Sequence, residues 1–187
     1  MKKNNLAYLF LLSTIIPLNS CSKNDNEECS IPEIITTVNK SHPCLSTGTI
    51  KITAPADAGY RYKLDQGDFQ ANTVFENISV GKHMVSIKDN NGCEASKEVE
   101  VDTITKGSKF TEVATVLKSR CSACHSGVNP QAGIDFTRIC DILSHWNRIQ
   151  ARAVEGNPSP MPPTGFIPIE ERNKILLWIN SGHMYEE

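Results

Sequence analysis

From Ile31 to Thr105 apolar and polar residues alternate with period two. The clearest stretches are Thr49-Ile50-Lys51-Ile52-Thr53, Tyr60-Arg61-Tyr62-Lys63-Leu64, Met84-Val85-Ser86-Ile87-Lys88 and Val99-Glu100-Val101. Turn-forming clusters separate them: Asp57-Ala58-Gly59, Asp65-Gln66-Gly67 and Asn90-Asn91-Gly92. Short alternating strands with regular turns predict an all-β sandwich. His42 and His83 are solitary here and read as solvent-facing. Beyond Thr105 the period changes. Phe110, Val113, Val116 and Leu117 fall on one face of a helix. Asp141 to Ala153 reads as another helix. Glu170 to Asn180 reads as a terminal one, with Pro168 near its start and Gly182 just past its end.

The N-terminus carries a different pattern. Lys2 and Lys3 precede a mostly apolar run, Leu6 to Leu18, which ends in Leu18-Asn19-Ser20-Cys21. The run is too short to span a bilayer comfortably and suits the core of an export signal. Its end resembles the lipobox of bacterial lipoproteins. That resemblance implies cleavage after residue 20, lipidation of Cys21 and, from Ser22, sorting to the outer membrane. Residues 21–30 then form a polar tether.

Composition narrows the possibilities. The chain has 187 residues, 19 basic and 21 acidic, for a net charge of −2. That balance excludes a strongly basic nucleic-acid binder. Losing Lys2 and Lys3 with the signal takes the charge to −4. The remainder is uneven: Cys21 to Thr105 holds 8 basic and 13 acidic residues, and Lys106 to Glu187 holds 9 and 8.

The least ordinary number is seven cysteines. Cys121-Ser122-Ala123-Cys124-His125 is a C-x-x-C-H sequence, the pattern of covalent haem c attachment. Two thiols one turn apart can reach the two vinyl groups of one macrocycle. The next residue then offers an imidazole to the iron as proximal ligand. Thirty-six residues on, Met161 lies within Pro158-Ser159-Pro160-Met161-Pro162-Pro163. Proline restricts such a loop, so its thioether is a candidate second axial ligand. His145, His183 and Met184 are weaker candidates. Cys121-x2-Cys124-x15-Cys140-x4-His145 also satisfies the spacing of a structural zinc knuckle. That alternative employs Cys140 but leaves His125 and Met161 idle.

Two family resemblances follow from these residues. Cys44, Gly48-Thr49-Ile50, Tyr60 to Asp65, Phe69, Val80-Gly81-Lys82-His83 and Lys88 to Cys93 resemble the immunoglobulin-like repeats of bacterial gliding-motility adhesins. In such a module Cys44 would pair with Cys93. Cys29 and Cys140 would then be left to join the tether to the C-terminal part. The stretch from Gly107 to Met184 resembles small class I cytochrome c domains through Cys121 to His125, Ser159 to Pro163 and Glu170 to Gly182. This resemblance implies one covalent haem c on Cys121 and Cys124, with axial ligands His125 and Met161.

The sequence therefore predicts two domains: an immunoglobulin-like β-sandwich over 31–105, then an all-α cytochrome c fold over 106–187. The expected function is one-electron transfer at the periplasmic or outer-membrane surface. The protein is then an electron carrier and not itself an enzyme. Its partners are the membrane, through the lipid, and a redox protein docking on the uncharged stretch Gly156 to Ile169. A zinc-bearing surface lipoprotein and a haem-based sensor of small ligands are the alternatives.

Overall fold

The computed structural model describes residues 29–186. The expected export signal and Cys21 lie outside the described residues. Six strands come first: β1 (Ile35–Asn39), β2 (Gly48–Ala54), β3 (Tyr60–Leu64), β4 (Val74–Ile78), β5 (Gly81–Asp89) and β6 (Glu94–Val101). They form two three-stranded antiparallel sheets, ordered β1-β2-β4 and β3-β5-β6. Ile50, Ile52 and Ile78 from one sheet and Tyr62, Val85, Ile87, Val99 and Val101 from the other share one buried cluster. That is a sandwich, and each inward residue but Ile78 belongs to the alternation that predicted it.

All three turn signals operate as such. The Asp57 carboxylate accepts the Gly59 N–H, and Gly67 N–H donates to the Leu64 carbonyl. Asp89 Oδ1 accepts the N–H groups of both Asn91 and Cys93, with Gly92 left-handed at φ +91°. β4 had no alternating signature, because Glu76 and Asn77 are consecutive exposed positions and Asn77 itself is left-handed at φ +59°.

The two sandwich histidines are not idle surface groups, contrary to the sequence reading. His83 Nδ1 lies 2.8 Å from Asp65 Oδ2, and its Nε2 lies 3.1 Å from the Ser79 carbonyl oxygen. His42 Nδ1 accepts the Cys44 N–H, and its ring packs edge-on to Tyr185 at 5.7 Å.

After the sandwich come α1 (Ser108–Arg120), a 3₁₀ turn (Gln131–Gly133), α2 (Ile139–Ser144), α3 (Trp146–Ile149), a π-helical turn (Gln150–Glu155) and α4 (Ile169–Asn180). The helix expected over Asp141 to Ala153 is broken at His145, whose backbone leaves the helical region at φ −111°, ψ 21°. α1 buries Phe110, Val113, Val116 and Leu117, and α4 buries Ile175 and Trp178. Arg120 holds α1 to α4 through a two-pronged bond to Glu171, with both contacts at 2.9 Å.

The predicted fold class requires correction here. The chain does not end in a separate all-α cytochrome c domain. Among the described residues its helices are short, the longest having 13 residues. Two stretches between them, 121–138 and 156–168, run without α-helix. Proline and glycine concentrate in those stretches, which explains the interruption. The helical part is also stapled to the sandwich, through Ile104, which packs on the helical core, and through His42, whose ring meets Tyr185. Ser41, fully buried in the β1–β2 connection, exchanges backbone hydrogen bonds with Asp102 and Ile104. Gly107 N–H donates to the Tyr185 carbonyl at 2.8 Å.

The disulfides complete the staple, and their pairing differs from expectation. Cys29 pairs with Cys93, and Cys44 pairs with Cys140; Cys44 and Cys93 are not partners. Cys44 belongs to the β1–β2 connection, which leans towards α2, so its sulfur meets Cys140 rather than the β5–β6 turn. That turn receives Cys29 from the segment preceding β1.

Candidate functional site

α1 ends where the C-x-x-C-H sequence begins. Cys121 caps the helix, donating its N–H to the Leu117 carbonyl at 2.9 Å. The chain then turns tightly, with Cys124 N–H and His125 N–H both donating to the Cys121 carbonyl. This turn gathers both thiols and the imidazole along one side of a cavity of about 530 Å³. That volume falls in the range of small-molecule sites, roughly 300–1,000 Å³.

The opposite wall is the loop bearing Met161. It is pinned at two points on the π-helical turn. Asn157 N–H donates to the Ala151 carbonyl at 2.8 Å, and Met161 N–H donates to the Arg152 carbonyl at 2.9 Å. Gly156, left-handed at φ +72°, lets the chain leave the turn beneath Phe166. Ile134, Phe136, Ile149, Ala153 and Pro162 line the rest of the cavity with apolar surface.

Thus Cys121, Cys124, His125 and Met161 all border one cavity, although Met161 is separated from the motif by 36 residues. The weaker candidates do not. His145 Nδ1 is 2.9 Å from the Asp141 carbonyl oxygen, His183 stacks on Trp146 at 4.4 Å, and Met184 lies exposed on the surface.

The two thiols differ. Burial, chiefly, with the neighbouring Cys124 adding to it, pushes the Cys121 thiol up to about 11. Cys124 is exposed, and neither is in a disulfide. His125 packs its ring at 5.1 Å from Phe136, and its Nδ1 is buried with no hydrogen-bond partner among the described residues. A buried, unpaired ring nitrogen calls for an explanation. An imidazole short of protein partners beside two unbonded thiols and a thioether is a donor set suited to haem iron, and the apolar walls suit a macrocycle. The residues present therefore fit a haem c.

They do not fit the zinc knuckle. Cys140 is bonded to Cys44 and cannot ligate, and His145 is turned to the Asp141 carbonyl. Among the described residues no group of three or more His, Cys, Asp or Glu is arranged to hold a metal ion.

Sequence reasoning missed the arginines of the site. Arg120, Arg148 and Arg152 line the cavity and no carboxylate does. Only Arg120 adjoins the motif in sequence; Arg148 and Arg152 sit four apart on successive short helical turns.

No protein-family model, curated protein or solved structure matches the chain. With two antiparallel sheets, short helices and no match, neither the adhesin-repeat resemblance nor the class I cytochrome c resemblance stands as a family assignment.

Proposed function

We propose that this chain is a monohaem electron carrier of the bacterial envelope, held to the outer membrane by a lipid on Cys21. The observation that carries the reading is the convergence of Cys121, Cys124, His125 and Met161 on one apolar cavity. Cys121 and Cys124 would hold the haem by thioether bonds, and His125 and Met161 would ligate its iron. When bound, haem supplies a one-electron Fe(III)/Fe(II) couple.

The protein's own part is to bind, orient and exclude. The turn after α1 sets the spacing of the thiols and imidazole. The loop anchored on the Ala151 and Arg152 carbonyls restricts where the Met161 sulfur can go. Ile134, Phe136 and Ile149 keep water from the cavity wall. A soft neutral sulfur stabilises Fe(II) over Fe(III), so the Met161 thioether raises the potential relative to a second imidazole.

Export is supported independently. Two disulfides among the described residues join four of the seven cysteines, a pattern of oxidising compartments. No helix among the described residues is long and apolar enough to cross a membrane. A lipid would therefore be what holds those residues at the membrane.

The test is a pyridine haemochrome spectrum of protein made in cells with haem-attachment machinery. The expected result is a c-type spectrum and a haem-stained band on a denaturing gel, both lost in Cys121→Ala/Cys124→Ala. A wild-type protein with no covalent haem refutes the reading.

A further inference from the structure

The cavity has a charge that the donor set does not explain. Three arginines border it and no acid does. Arg120 is already matched by Glu171, whose carboxylate takes both its Nε and Nη2 hydrogens. Arg152 is not. Its Nη2 donates to Ser159 Oγ at 3.2 Å, but its Nε is buried without any partner among the described residues. A guanidinium presents a planar fork of donors that matches a carboxylate, and leaving one buried donor unpaired is costly. Its backbone is engaged as well, because the Arg152 carbonyl accepts the Met161 N–H.

We infer that Arg152 anchors an acidic group of the bound cofactor and ties that anchor to the Met161 loop, so that one residue sets both the seating of the cofactor and the reach of the thioether. The inference rests on the haem reading above. Haem carries two propionate carboxylates, the chemistry a half-buried guanidinium with an unpaired Nε beside an apolar cavity would recognise. Arg152 is a positioning residue in this scheme and touches no electron-transfer partner. It would also act on the iron electrostatically. A fixed cation near the macrocycle disfavours Fe(III), so removing it lowers the potential.

The test compares haem-loaded Arg152→Gln, Arg152→Lys and, as a control, Arg138→Gln. Arg138 is paired with Asp135 and Asp141 on the surface and does not line the cavity. Covalent haem content should be unchanged in all three, because attachment depends on the thiols. Arg152→Gln should lower the midpoint potential and weaken the near-infrared sulfur-to-iron band. Arg152→Lys should restore most of the potential, since the charge remains. Both should shift the propionate bending mode in the resonance Raman spectrum, because Lys lacks the fork. Arg138→Gln should move none of these. If Arg152→Gln folds poorly, the Raman mode of Arg152→Lys decides alone. Unshifted modes with wild-type potential and band in the Arg152 variants overturn the inference. A wild-type chain without covalent haem overturns the proposed function instead.

Discussion

Opening the Cys44–Cys140 bridge should cost the protein several kcal/mol. The bridge closes a sequence separation of 96 residues. With Cys29–Cys93 intact, however, the unfolded chain has a shorter path between the same ends. It runs about 15 residues back from Cys44 to Cys29, across that bridge, and about 47 on from Cys93 to Cys140. A closed loop of about 62 residues stabilises by roughly 4 kcal/mol in the chain-entropy model. For a chain of this size that corresponds to a fall in Tm on the order of 10 °C. The assay is urea unfolding of haem-loaded Cys44→Ser/Cys140→Ser against wild type, followed by tryptophan fluorescence. Both tryptophans, Trp146 and Trp178, lie in the helical part, on the far side of the staple from the sandwich. The midpoint should fall with Trp178 still buried at zero urea. A loss under about 1 kcal/mol would refute this reasoning, and peptide mapping of the non-reduced protein would then show whether Cys44 and Cys140 are joined at all.

Other expectations follow from the same structure. Gly156→Ala should destabilise by about 2–4 kcal/mol, from left-handed strain and from a Cβ that would lie 2.6 Å from Phe166 Cζ; urea titration reads it. Trp178→Ala should cost about 3–5 kcal/mol, since the ring is buried and its Nε1 donates to the Met184 carbonyl; the same titration with haem absorbance reads it. The bond to Arg120 holds the Glu171 carboxyl below its ordinary 4.5. That pair adds stability above pH 4.5 that is lost as pH falls through the lowered value, so Glu171→Gln should flatten the acid limb of a Tm–pH profile by under about 1 kcal/mol. Before haem attachment, iodoacetamide at pH 8 should label Cys124 well ahead of Cys121, whose thiolate fraction there is about one in a thousand; equal rates by peptide mass spectrometry would contradict the buried thiol.

The sandwich was visible in the sequence because alternation is a local property. Ile50 and Ile52, or Val85 and Ile87, declare their inward face from positions two apart. The turns declare themselves equally locally, through the Asp57 and Asp89 carboxylates and the Gly67 bond to Leu64. β4 escaped because its alternation fails at Glu76 and Asn77. The C-x-x-C-H sequence is also local, so its residues could be named at once. Met161 was reachable because prolines flank it. Arg148 and Arg152 were not, because nothing in an arginine's neighbours tells whether it faces solvent or a cavity. Disulfide pairing was least accessible of all. Four cysteines allow three pairings, and the choice depends on where the β1–β2 connection leans, which no local pattern records.

That lean gives the two parts a fixed relation. The connection between β1 and β2 belongs to the sandwich in sequence, and two of its residues, His42 and Cys44, reach into the helical part. Ser41 binds the backbone at Asp102 and Ile104, and Cys44 is joined to Cys140 at the start of α2. His42 abuts Tyr185, Tyr185 abuts Phe110 at 5.0 Å, and Phe110 abuts Trp178 at 6.1 Å, so rings run without a break from the connection into the helical core. α1, which carries Phe110 on its buried face, is also the helix that delivers Cys121 to the cavity. The cavity's wall is therefore braced against the sandwich by a disulfide and a line of aromatic contacts. A spacer on a loose linker would present the cavity in many orientations. These contacts hold the cavity in one orientation relative to the sandwich.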